Sequence, residues 1–177
     1  MGGVFAANMT GNTVLAGIAA AEGRYGNAGR HLAPLLAFFI GAMLARLLLR
    51  LWQRPALPLL LEAMVIAGVG FLPLGVETAV LIVALAMGLQ AAALTHFGGA
   101  AISTVVVTST LARTAEATLD RVWPPAHREL PAVATPRLLV LTWIGYLVGA
   151  VIGGLLLHML PYPLMVPAAL LLVVVVL

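Results

Sequence analysis

An α-helical membrane protein of about six or seven membrane segments is the fold class this sequence predicts, and three observations predict it. The chain of 177 residues is 63% hydrophobic and only 8% charged, against roughly 25% charged in an ordinary soluble domain. That leaves too little polar surface to cover a water-facing globule. The apolar residues also fall in long blocks separated by short polar breaks, as bilayer-spanning helices do. Finally, nine arginines, no lysine and six acids give a net charge of +3, an excess that reads as membrane topology. No arginine run is interleaved with aromatics, so a nucleic-acid groove is not expected.

Segment one, about residues 4–20, is apolar but interrupted by Asn8, Thr10, Gly11, Asn12 and Thr13. Segment two runs from Leu32 to about Leu51, with Arg46 and Arg50 placed to snorkel at its end. Segment three covers about residues 56–74 and carries Glu62; segment four covers about 78–95 and carries Gln90. Segment five, about 100–112, would be roughly 20 Å long as a helix, short of the ~30 Å hydrocarbon core. It either re-enters the membrane or is broken within it, and segment one has a comparable polar interruption. A polar loop with Pro124, Pro125 and Pro131 as breakers spans 113–136. Segments six (about 137–158) and seven (about 162–177) complete the single membrane domain. His31 and His127 read as loop residues, while His96 and His158 sit at segment ends. The chain opens inside what reads as a functional segment, so a fragment lacking an N-terminal helix is expected.

Two short patterns recur in order. Gly2-Gly3 precedes Met9-Thr10-Gly11-Asn12-Thr13, and Gly98-Gly99 precedes Val107-Thr108-Ser109-Thr110-Leu111. Phe38 to Ala45 then matches Tyr146 to Gly153. The expectation is two related halves, about 1–75 and 78–177. If segment five re-enters, seven arginines share one side and only Arg24 and Arg30 lie opposite. If it crosses fully, the long loop joins Arg24 and Arg30, the split becomes three against six, and the halves are parallel. Positive-inside bias prefers the first arrangement, which makes the halves inverted as in many secondary transporters.

The string Phe5-Ala6-Ala7-Asn8-Met9-Thr10-Gly11-Asn12-Thr13-Val14-Leu15-Ala16-Gly17 resembles the YoaK-like family of small bacterial membrane proteins, whose function is unknown. The resemblance continues through Leu61-Glu62-Ala63, Ala86-Met87-Gly88-Leu89-Gln90, Val107-Thr108-Ser109-Thr110-Leu111 and Tyr146-Leu147-Val148-Gly149-Ala150. It implies a multi-pass protein of the bacterial inner membrane. This sequence departs from the family at Ala91, where asparagine is usual, and at Ser109, where glycine is usual.

Glu62 lies well inside an apolar helix, where an ionised carboxylate is costly and usually functional. Proton acceptor, cation ligand and counter-charge are the candidate roles; pairing with an arginine near Arg54 is the structural alternative. Asn8, Thr10, Asn12 and Thr13, with Thr108, Ser109 and Thr110, would line a polar midplane site if two broken helices meet there. Alternatively, the hydroxyls bond their own helix carbonyls. Gln90 would join that site or make an interhelical hydrogen bond. Gly41, Ala45, Gly149 and Gly153 have the small-xxx-small spacing of packed membrane helices.

No His-x₃-His pair suggests a metal site, no cofactor motif is present, and no hydrolytic or phosphate-binding signature supports an enzyme. The expected partners are therefore the lipid bilayer and a small solute or ion moved through the polar site, with a homo-oligomer also open. The alternative is a non-transporting accessory or assembly protein.

Overall fold

The computed structural model describes residues 3–54, 56–94 and 136–176, and every regular element among them is an α-helix. In chain order these are α1 (Met9–Ala21), α2 (Tyr25–Trp52), α3 (Ala56–Phe71), α4 (Val76–Leu94), α5 (Pro136–Met159) and α6 (Met165–Val176). Segment five and the long polar loop before Pro136 lie outside the described residues. Residues 1–102 and 162–177 form one compact unit and residues 103–161 another. The first unit thus draws α6 in with α1–α4 and crosses the boundary between the expected halves. In the second, α5 is a 24-residue helix opened by Pro136, whose missing N–H and fixed φ suit a first helical position.

Helices α1 and α2 form a hairpin. Gly23 adopts φ +73, and the N–H groups of Gly23 and Arg24 donate to the carbonyls of Ala20 and Ala19. This is a Schellman ending, in which a residue at positive φ closes the last turn. Helix α2 then starts at Tyr25, two turns earlier than the sequence pattern suggests. Gly26, Asn27, Gly29 and Arg30 look like loop residues but are helical, and Pro34 is buried inside the helix. His31 is consequently an α2 residue rather than a loop residue.

Helices α2 and α4 run parallel in close contact. Glu77 follows Arg30, and Gly88 follows Gly41, by the same 47 positions. The first pair is joined by an ion pair at 3.3 Å near the two helix starts. At the second, a Cβ on Gly41 would overlap the Leu85 carbonyl, and one on Gly88 would overlap the Phe38 carbonyl. Backbone touches backbone there, which only glycine permits. Ala45 and Ala84, both fully buried, extend the seam as small-xxx-small packing requires.

Helix α3 packs antiparallel to α6. Ile66 meets Ala168, Gly70 faces Leu164, and the Phe71 and Tyr162 rings lie 5.2 Å apart. Ile66 and Ala168 share a buried cluster with Ala86 of α4.

The outer surface is apolar. Leu32, Leu36, Phe39, Ile40, Met43, Leu47 and Leu51 form an exposed stripe along α2 from Leu32 onward. A soluble protein does not leave such a continuous patch facing water. Tyr25–Trp52 and Val76–Ala93 are each long and apolar enough to cross a bilayer.

Candidate functional site

The Asn-Thr segment serves first to start a helix. Asn8 is the N-cap of α1, its Oδ1 accepting from the Gly11 N–H at 3.0 Å. This satisfies one of the orphan donors of the first turn. Four residues on, Asn12 is completely buried. Its Oδ1 accepts from the Phe5 N–H at 2.9 Å and its Nδ2 donates to the Phe5 carbonyl at 2.7 Å. The amide thereby pairs with both backbone groups of Phe5. Thr13 donates from Oγ1 to the Met9 carbonyl at 2.9 Å, the local bond weighed as its alternative. Thr10 is exposed on the same first turn.

The polar residues of segment one therefore sit at the beginning of a 13-residue helix rather than in a mid-helix break. The reason is local. An Asx cap followed three residues later by a free N–H nucleates the helix at the point where the sequence looks interrupted.

Two predictions follow from these bonds. Asn12→Ala leaves the Phe5 N–H and C=O unpaired in a partly buried setting, an expected loss of about 1–3 kcal/mol. Asn12→Asp keeps the acceptor but not the donor and should fall between it and wild type in thermal unfolding of the detergent-solubilised protein. Asn8→Ala should cost about 1 kcal/mol, the usual value of an N-cap. An Asn8→Ala melting curve that overlays wild type would remove the cap from the account.

Glu62 is the second feature, and it is of a different kind. It lies on the buried face of α3 with Leu59, Ala63, Ile66 and Val69. The residue is fully buried, and neither Oε1 nor Oε2 has a hydrogen-bond partner among the described residues. No ion pair joins it to an arginine among them, so the expected alternative of an Arg partner is not realised there. The antiparallel register through Ile66 and Ala86 puts Gln90, half-buried on α4, one turn along each helix at the Glu62 level. The amide does not bond the carboxylate.

These two groups are not brought together. Among the described helices α1 packs only on α2, whereas α3 packs on α4, α6 and, slightly, α2. Asn8, Thr10, Asn12 and Thr13 thus belong to one place, and Glu62 with Gln90 to another. Thr108, Ser109 and Thr110 lie outside the described residues. Among those described, no cluster of three or more metal-ligating side chains occurs.

A third feature is absent from the sequence reading. A cavity of about 930 Å³ opens where α2 and α4 begin, with Arg24, Asn27, Arg30, His31 and Glu77 among its lining. Asn27, Arg30, His31 and Pro34 are spaced three and four apart on one face of α2, a signal that required extending the helix back to Tyr25.

A greasy outer stripe, two helices of spanning length and a buried carboxylate define a helical transmembrane protein. The comparisons with known proteins agree. The chain belongs to the family described as protein of unknown function (DUF1275), whose model matches residues 1–177. It is similar to the UPF0700 transmembrane protein YoaK of Bacillus subtilis (strain 168), with 33% identity over 166 residues, 88% of this chain and 73% of that protein. No solved structure gives a significant match.

Proposed function

We propose that this protein is a multi-pass carrier of the bacterial inner membrane, in which Glu62 takes up and releases the coupling proton. One observation carries the reading: a fully buried carboxylate, neither oxygen of which has a hydrogen-bond partner among the described residues, on a helix packed against α4 and α6. An ionised carboxylate in such a place costs several kcal/mol, and intramembrane acids are kept where charge must be bound or moved. A metal cation would need several oxygen ligands around it. A proton needs only the carboxylate. The inverted two-half plan, with Thr108, Ser109 and Thr110 answering Thr10 and Thr13, supplies the solute path in this reading.

The test uses the full chain in proteoliposomes loaded with a pH-sensitive dye, exposed in turn to a panel of small organic solutes. Wild type is expected to acidify the lumen when its solute is added outside, and Glu62→Gln to abolish that signal. Solute-driven acidification by Glu62→Gln at the wild-type rate would sink the assignment. So would a wild type that carries solute without moving protons.

A further inference from the structure

We propose that the cavity at the head of α2 and α4 binds a small organic anion through a carboxylate or phosphate group. Among the described residues, its polar lining holds two guanidinium groups, Arg24 and Arg30, against one carboxylate, Glu77. Because α2 and α4 run parallel, both helix N-termini lie at this end, each contributing partial positive charge of roughly half a unit. The first turn of α2 carries no acidic residue, and its Arg24 cap makes no side-chain capping bond. His31 also lines the cavity, and its Nδ1 is buried without a hydrogen-bond partner among the described residues. That nitrogen can donate in the appropriate tautomer. Asn27 adds an amide.

Pro34, Val76, Val80 and Leu81 supply apolar wall, so the site suits an anion with an apolar body better than a bare inorganic ion. Arg24 already meets Glu22, and Arg30 meets Glu77 at 3.3 Å. Both ion pairs are more than half exposed, and exposed pairs are worth little. An incoming carboxylate or phosphate can therefore displace Glu77 and take Arg30 in the bidentate geometry a guanidinium prefers. This assigns Glu77 a definite role: it occupies Arg30 until the ligand arrives.

The site is independent of Glu62 and is testable without knowing the natural ligand. The chain contains no cysteine, so Asn27→Cys places a single thiol in the cavity. Leu72→Cys places a reference thiol in the exposed turn before α4. Each is treated with the anionic sulfonatoethyl and the cationic trimethylammonioethyl methanethiosulfonate on the full-length protein in nanodiscs. The anionic-to-cationic rate ratio should be about tenfold higher at position 27 than at 72, the effect of roughly one unit charge nearby. Arg30→Gln should remove most of that difference, Glu77→Gln should enlarge it, and Glu62→Gln should leave it unchanged.

Millimolar succinate or inorganic phosphate should slow labelling at position 27 and not at 72; the more effective one tells carboxylate from phosphate. Equal ratios at the two positions, or labelling that neither anion slows, would overturn the site. Glu77→Gln removes no cation, so its expected gain cannot be produced by misfolding. A loss or no change in that variant counts against the proposal even if Arg30→Gln fails to fold.

Discussion

Gly41→Ala is expected to drive α2 and α4 apart. The added methyl would overlap the Leu85 carbonyl, and a backbone oxygen cannot step aside as a side chain can. Overpacking of this kind usually costs about 1–3 kcal/mol, and more where neither element can yield. Gly88→Ala meets the Phe38 carbonyl in the same way and should behave alike. The control is Gly17→Ala on α1, where no atom of the described residues beyond the helix's own backbone lies within 4 Å of the new Cβ. There the alanine should stabilise by up to about 1 kcal/mol, because glycine is the poorer helix former. One chemical change thus has opposite expected signs at two positions. Thermal unfolding in a mild detergent measures both, and shifts of the same sign and size at Gly41 and Gly17 would discard the crossing.

The second large effect concerns Glu62. Glu62→Met should give a protein that melts higher than wild type yet carries nothing. Replacing a buried carboxylate that bonds nothing among the described residues by an apolar side chain of similar volume removes a desolvation cost of about 1–3 kcal/mol. Glu62→Gln should be equally inactive but gain less, since its amide remains buried and unpaired. Stability sacrificed at one position for the sake of activity is the general mark of a functional site. A Glu62→Met protein that melts well below wild type would show the carboxylate to be a structural partner of something, and the carrier reading would lose its foundation.

How far these features were legible in the sequence depends on the range of the interactions involved. Fold class was plain, because membrane solvation acts on composition. Most helix limits were within a few residues of those found, because apolar blocks and prolines are local signals. The start of α2 was missed because two glycines, an asparagine and an arginine resemble a loop when read singly. With it went the cavity, whose polar residues share a face only once Tyr25–Arg30 is helical. Glu62 stood out as the lone acid of its block, but its want of a partner among the described residues is a tertiary fact. Asn12 was read as a ligand group, since nothing in the string shows that its amide is consumed by Phe5, seven residues earlier. The Gly41–Gly88 contact was half visible. Small-residue spacing marked α2 as a packing helix, but the pattern could not name α4 as its neighbour.

The register between helices has an electrical consequence. The apolar stripe from Leu32 to Leu51 on α2 is about 28 Å long, close to the hydrocarbon thickness of a bilayer. The 47-position offset puts Gln90 opposite Met43, just past the middle of that stripe, and Gln90 shares its level with Glu62. In the carrier reading, a proton reaching Glu62 from either face would therefore traverse about half of the transmembrane voltage. At 100 mV that amounts to about 1 kcal/mol for a unit charge, enough to shift occupancy several-fold. The membrane potential would then bias the loading of Glu62 from one side and its release to the other.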